Sequence, residues 1–274
     1  MPKTQIALVT GASSGMGEDF TKKLIKEGMT VYAVARRIEK MDDLKKLGAI
    51  PIKMDITKEE DVQAVVDQIK QDHGRIDILI NNAGFGMFGS VEETTLEDAR
   101  YQFEVNLFGL ANLTQKIIPL MREQKSGKII NISSVGGKIY SPMAAWYQGT
   151  KHALEGWSDC LRLELSSFGI DVVIIEPGAI VTEFGDVMTK PMIERSGHGP
   201  YAPIVNALVN AMEREYKAGS SSPPDVITKL VLKAIRAKKP KTRYAGGKYA
   251  FTLLFIRRWF GDRIYDRAIM SILK

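Results

Sequence analysis

Apolar residues recur along the chain in two rhythms. Short runs rich in β-branched side chains occur at QIALV (5–9), TVYAVA (30–35), IPIKM (50–54), IDILIN (76–81), KIINI (128–132) and DVVIIE (171–176). Runs this continuous suit strands covered on both faces, as in a parallel sheet. Between them, apolar positions repeat with helical period over Met16–Glu27, Glu59–His73, Leu96–Gln124 and Ala145–Phe168. The alternation predicts βαβ units with right-handed crossovers, and so an α/β fold: a Rossmann-type, doubly wound parallel sheet in three αβα layers. Neither a solenoid repeat nor a low-complexity linker interrupts the pattern, and one domain over 1–274 is expected.

After Glu176 the alternation stops. The stretch from Pro177 to Pro200 holds four glycines and three prolines in 24 residues, a composition suited to a lid over a ligand at the carboxyl end of a strand. A dinucleotide-binding core of about 4–185, a substrate lid of about 178–223 and a C-terminal helical extension of about 240–274 are the expected parts. Helical pattern resumes from Tyr201 to Lys217 and from Pro224 to Ala237, where Ser222 can cap, prolines suit the first turn and Pro240 stops the helix.

Composition narrows the class. The 274 residues are 45% hydrophobic and 26% charged, with a net charge of +6. Residues 226–274 hold thirteen Lys or Arg and two Asp, which is +11 and leaves −5 on the remainder. A basic excess confined to one tail argues against nucleic-acid binding by the fold. The last 26 residues, YAFTLLFIRRWFGDRIYDRAIMSILK, read as a basic amphipathic helix. Its apolar side either covers the sheet domain or a neighbouring subunit, or rests as a peripheral contact on an anionic membrane. The single Cys160 excludes an internal disulfide and is expected as a core thiol. No signal peptide is apparent at the first residue, and no apolar run approaches the ~18 residues of a membrane span. A cytoplasmic location is expected.

The first strand runs into TGASSGMG, with Gly11, Gly15 and Gly17, and then into a helix. Glycines at a strand-to-helix turn admit a pyrophosphate close to the backbone, where unpaired N–H groups and the helix dipole favour its charge. At the end of the second strand, where an NAD enzyme usually presents an acid, the chain reads Ala35, Arg36, Arg37. Arginines there pair with a 2′-phosphate, so NADP(H) is favoured; if they are solvated surface groups, the cofactor is NAD(H).

Thirteen residues beyond Ser134, which follows the fifth strand, comes Tyr147, and one helical turn later Lys151. A phenol of pKa ~10 transfers protons poorly at neutral pH. A nearby ammonium and an oxidised nicotinamide would both favour the phenolate, and a serine hydroxyl can steady a developing oxyanion. TGASSGMG, NNAG at 81–84, Asn106 in VNLFG, Ser134 in NISS, Tyr147 and Lys151 in YQGTK, and PGAIVT at 177–182 together resemble the short-chain dehydrogenase/reductase family over about residues 4–185. The tyrosine motif differs from many members in carrying Gly149 in place of alanine.

The resemblance implies hydride transfer at the nicotinamide C4, with Tyr147 as general acid or base and Ser134 polarising the carbonyl. Lys151 would also bond the nicotinamide ribose, and Asn106 would hold a water that relays protons through Lys151. It further implies cofactor contacts from Gly11, Ser13, Ser14, Gly15, Met16 and Gly17 of the loop, with Arg36 and Arg37, and from Asp55 and Ile56 beside the adenine. Asn82, Ala83 and Gly84 would border the ribose, and Pro177, Gly178, Ile180 and Thr182 the carboxamide and pyrophosphate.

The long segment after Thr182 and the apolar, basic C-terminus resemble those of family members acting on steroids, retinoids or other lipophilic compounds, which implies a hydrophobic ketone or secondary alcohol as substrate. Met87, Phe88, Met143 and Trp146 either line its pocket or pack the core. The alternatives are an NAD(H) enzyme for a small polar alcohol and a non-catalytic dinucleotide-binding regulator. The resemblance implies a homo-oligomer, a dimer or tetramer, through the helices at Leu96 and Tyr147 unless the C-terminal extension blocks that interface, and no metal site is expected, since His73, His152 and His198 lack ligand spacing.

Overall fold

The computed structural model describes residues 4–182, 184–217, 219 and 221–272. Seven parallel strands form one sheet in the order β3-β2-β1-β4-β5-β6-β7: β1 Ile6–Thr10, β2 Thr30–Ala35, β3 Ile50–Lys53, β4 Ile78–Asn81, β5 Gly127–Ile132, β6 Ile170–Pro177 and β7 Arg243–Gly246. The order turns back between β1 and β4, so both strands send their carboxyl ends into a crevice at that switch point. Every residue of β1 and β4 is buried, because helices cover both faces.

One face is covered by α3 (Glu59–His73), α5 (Gly109–Glu123) and α6 (Ala145–Leu165), with Val62, Leu113, Ile117 and Leu161 packed on Leu8 and Ile129. The other carries α1 (Gly15–Lys26), α2 (Asp42–Lys46) and α9 (Asp225–Arg236), whose Phe20, Leu24, Leu44 and Val231 meet Ala7, Ile80 and Val173. These two cores make the three-layer α/β sandwich.

Five features depart from the pattern-based expectation. The helix predicted from Leu96 to Gln124 is α4 (Leu96–Phe103), a π-helical turn at Glu104–Phe108 and then α5. Thr95 caps it by accepting a hydrogen bond from the Asp98 N–H at 3.1 Å, and the π turn falls on Asn106, as such turns often do at functional positions. Residues Phe184–Ser196, within the glycine- and proline-rich stretch, form helix α7, followed by α8 at Ala202–Lys217. The lid and C-terminal extension also include residues 183, 218, 220, 273 and 274, which lie outside the described residues.

The seventh strand has no apolar run to announce it, only Arg-Tyr-Ala-Gly, yet its Tyr244 is buried and it pairs with Ile174–Pro177. Finally, the single basic helix expected at the C-terminus breaks at Gly261 (φ +69) into α10 (Ala250–Trp259) and α11 (Gly261–Ile272). Cys160 is exposed, contrary to the core position expected of it. The core-facing residues of α6 include Leu154, Ser158, Leu161 and Leu165, and Cys160 falls outside that stripe. Among the described residues no helix is long and apolar enough to cross a membrane.

Candidate active site

The turn after β1 is shaped by its glycines. Gly11 and Gly15 adopt left-handed backbone (φ +66 and +58), and a Cβ on Gly17 would lie 2.3 Å from the Gly11 carbonyl oxygen. The loop therefore folds back on the start of α1 as only glycine allows. Ser14, at the N-cap of α1, makes no side-chain capping bond, so it competes for none of the helix's first N–H groups.

The Thr10 hydroxyl accepts hydrogen bonds from the N–H groups of Asn82 and Ala83, each at 2.9 Å, and the Asn82 amide donates to the Thr10 carbonyl at 2.9 Å. These bonds clamp β1 to the segment after β4 and hold open a cleft of about 350 Å³.

The cleft gathers most of the residues expected around a dinucleotide. Gly11, Ser13, Ser14, Gly15 and Met16 form its floor, Arg36 and Arg37 its outer rim, and Asp55 and Ile56 one wall. Asn82, Ala83, Gly84 and Thr182 form the other, with Thr182 close enough that a Cβ on Gly15 would meet its methyl at 3.3 Å. Gly17 lies beneath the floor. Pro177, Gly178 and Ile180 run from the end of β6 along the sheet edge, where Ala179 bridges to Lys248 and Ile180 to Ser222.

At the rim, Arg37 Nη2 donates to Ser14 Oγ at 3.2 Å and Arg36 Nη1 to the Tyr101 hydroxyl at 3.0 Å. Asp55 is oriented within its own turn, accepting from the Thr57 N–H and hydroxyl at 3.0 and 2.8 Å. The crowded glycine cradle, the uncommitted helix start and the two rim cations fit a dinucleotide phosphate.

Beyond the cleft, Ser134 follows β5 and Tyr147 projects from the first turn of α6. The two hydroxyls share a hydrogen bond, which eases the phenol's ionisation, but burial outweighs it and raises the Tyr147 pKa. Lys151 is buried, its ammonium donating to the Ile132 carbonyl at 2.9 Å. Burial lowers its pKa to about 8, against the opposing pull of Glu155 one turn on.

Asn106 connects the two halves of the site. Its amide oxygen accepts from the Phe85 N–H at 3.0 Å, and its nitrogen donates to the Phe85 carbonyl at 2.9 Å and to Thr150 Oγ1 at 3.1 Å. Thr150 in turn donates to the Tyr147 carbonyl at 2.7 Å. The side chain visibly braces the wall of the cleft against the tyrosine helix.

Several contributors escaped the sequence reading. Thr10 entered only as the first residue of TGASSGMG, with no role of its own. Asn81, Asn131, Thr114 and Ser158 form a buried chain of bonds of 2.8 to 3.0 Å across β4, β5, α5 and α6. Behind Lys151, the buried Glu155 accepts from Arg243 Nε and Lys138 Nζ, each at 2.9 Å, while Arg243 also reaches Asp159 at 2.6 Å. No periodicity signals such a cluster, because its arginine comes from the short seventh strand.

Of the residues expected near the mouth, Phe88 stacks on Tyr147 with centroids 5.6 Å apart. Phe88 and Met143 join Met192 and Val205 in one apolar cluster, while Met87 is buried separately. Met143 is left-handed (φ +65), and its carbonyl accepts from the Gly89 N–H at 2.9 Å just before α6 begins.

Residues 5–192 match the sequence profile of the short chain dehydrogenases. The chain belongs to the short-chain dehydrogenase/reductase family. It is 33% identical over 267 residues to a 3-ketodihydrosphingosine reductase of Bacteroides thetaiotaomicron, covering 97% of this chain and 96% of that one. Among solved structures it resembles a short-chain dehydrogenase from Streptomyces avermitilis at 34% identity and a TM-score of 0.80, over 93% and 92% of the two chains. Likeness extends to a serine dehydrogenase complexed with NADP+ (26% identity, TM-score 0.77, 89% and 94% covered). It extends equally to a 3-ketoacyl-(acyl-carrier-protein) reductase from Brucella melitensis complexed with NADH (25%, 0.74, 90% and 98%). The chain is an oxidoreductase of this family.

Proposed function

We propose that this short-chain dehydrogenase/reductase interconverts a hydrophobic carbonyl compound and its secondary alcohol, using NADP(H) in preference to NAD(H). The observation that carries the reading is the pair of bonded hydroxyls, Ser134 and Tyr147, beside a buried Lys151 and next to a cleft suited to a dinucleotide. When bound, the nicotinamide supplies the hydride and, in its oxidised form, a positive charge.

Ser134 holds and polarises the substrate oxygen, and Tyr147 donates the proton to it in reduction and removes it in oxidation. Burial favours the protonated phenol, which suits a general acid. Lys151 bonds the nicotinamide ribose, and Asn106 keeps the cleft wall in register with the tyrosine helix. Arg36 and Arg37 at the rim support the NADP(H) preference, since each offers a charge-assisted bond to a 2′-phosphate that a 2′-hydroxyl cannot match.

The apolar substrate class is supported by the cluster of Phe88, Met143, Met192 and Val205 against Tyr147. Methionine-rich surfaces adapt to bulky apolar ligands. The relative whose name specifies 3-ketodihydrosphingosine, a long-chain ketone, points the same way. Helices α7 and α8, which carry Met192 and Val205, are read as the lid. Exposed Leu96, Phe108 and Leu163 on the outer faces of α4, the π turn and α6 support a homo-oligomer joined there.

The test is a panel of hydrophobic and polar ketones and aldehydes, assayed with NADPH and with NADH. Turnover confined to small polar carbonyls would overturn the substrate reading, and faster oxidation of NADH the cofactor reading.

A further inference from the structure

The two faces of α10 differ in kind. Leu253, Leu254 and Ile256 pack with Ala250 and Tyr265 onto Val135, Ile139 and Tyr140, the segment that follows Ser134. The opposite face is a stripe of Phe251, Phe255 and Trp259, spaced four residues apart and 71%, 56% and 67% exposed. Phe255 touches Trp259 and Phe260, with centroids 6.4 and 5.9 Å apart, so these three rings form one continuous surface, with Phe251 one turn before Phe255. A helix whose outer side meets only water carries polar residues there, and a contiguous apolar patch marks a binding face.

The surrounding charge identifies the occupant. Lys248, Arg257, Arg258, Arg263 and Arg267 lie on or beside these two helices. The only acids in the same span are Asp262, paired with Arg257, and Asp266, which accepts from the Tyr140 hydroxyl at 2.8 Å. Arg258 lies 5.7 Å over the Trp259 ring, a cation at the border of an apolar surface. A second copy docked on this patch about a twofold axis would set these cations against their own images.

An anionic bilayer surface instead offers hydrocarbon at the depth of the rings and phosphates at the level of the arginines. We propose that the aromatic and arginine-flanked outer face of α10, with α11, docks the protein peripherally on anionic lipid. The docked orientation puts the segment following Ser134 about one helix diameter, ~10 Å, from the lipid.

The proposal does not rest on the substrate reading, because vesicle binding is measured without turnover. The full chain is sedimented with vesicles of phosphatidylcholine alone and of phosphatidylcholine with about one-third phosphatidylglycerol, at low and high salt. Binding is expected to the anionic vesicles only, falling roughly tenfold or more at high salt as the headgroup charge is screened. Phe255→Ser/Trp259→Ser and, separately, Arg258→Gln/Arg263→Gln are each expected to weaken it by roughly tenfold. Unchanged thermal melting and unchanged turnover of a water-soluble carbonyl show that the variants fold.

Trp259 fluorescence should shift to shorter wavelength on anionic vesicles, a change that Trp259→Phe removes. Failure of the wild-type chain to bind anionic vesicles overturns the proposal. So does a patch variant that turns an oligomer into a monomer while leaving vesicle binding intact, which would assign the face to a second copy.

Discussion

Replacing Arg36 and Arg37 singly with serine tests the rim of the cleft. In the protein each guanidinium already holds a neutral partner, the Tyr101 hydroxyl at 3.0 Å and Ser14 Oγ at 3.2 Å. An exposed bond to a neutral hydroxyl is easily replaced by water and contributes about 1 kcal/mol, and one that pairs the guanidinium with an anionic phosphate about 1.5–3. Both arginines are exposed, so competition from water and the entropy of fixing a long side chain reduce the phosphate bond toward the lower end of that range.

A net loss of about 1–2 kcal/mol per arginine follows, or roughly a 5- to 30-fold fall in kcat/KM for NADPH. NADH carries no 2′-phosphate, and its kcat/KM should change by less than about threefold. Initial rates with each nucleotide varied at fixed carbonyl concentration measure both. If the two nucleotides lose efficiency equally, the arginines serve the loop's shape. If neither changes, they are solvated surface groups and the reasoning fails.

Three further outcomes follow from local packing and charge. Gly17→Ala puts a methyl 2.3 Å from the Gly11 carbonyl and 2.6 Å from the Asn82 amide nitrogen, so nucleotide binding by calorimetry should weaken at least about tenfold; binding at wild-type affinity would contradict the cradle geometry. Gly149→Ala meets only Phe103 ring atoms at 3.6 and 3.9 Å and should stabilise α6 by about 0.5–1 kcal/mol, raising Tm by roughly 1–4 °C, whereas a lower Tm would mean that the helix cannot admit the methyl.

Glu176, whose pKa burial and then Glu155 push up to about 7, binds a proton in the folded chain that the unfolded chain has released between pH ~4.5 and ~7. Its contribution to stability is therefore present at low pH and lost as pH rises through 7. Glu176→Gln should flatten that slope, by at most about 3 kcal/mol, in denaturant melts at pH 5 and pH 8, and an unchanged slope would rule it out.

What the sequence made legible follows from the physics that each feature uses. Five of the six strands that stood out are largely buried on both faces, which demands continuous apolar, β-branched runs, and the half-buried edge strand β3 still carries Ile50 and Ile52. The seventh did not stand out, since Arg243 enters the sheet paired to Glu155 and Asp159 and its four residues contain one large apolar side chain. Cys160 was misplaced because the core face of α6 includes Lys151, Glu155 and Ser158, and a hydropathy pattern cannot foresee polar groups buried for bonding. Helix α7 was hidden by Pro191 within it and glycines beyond it.

The proposed reactive residues were legible through spacing, as Ser134 follows a strand and Tyr147 and Lys151 lie one turn apart on a helix. Their bracing was not, because Thr10, Thr150 and the π turn at Asn106 act through contacts between distant segments.

The central claim is that Tyr147 transfers the proton, and Tyr147→Phe tests it most directly. That change removes one hydroxyl and keeps the ring that stacks on Phe88. The measurement is single-turnover oxidation of NADPH by a hydrophobic ketone, with nucleotide affinity determined in parallel by calorimetry. The account predicts a fall in turnover of at least about 10²-fold with nucleotide affinity within about threefold of the parent. Turnover at the parent rate in the phenylalanine variant would contradict it.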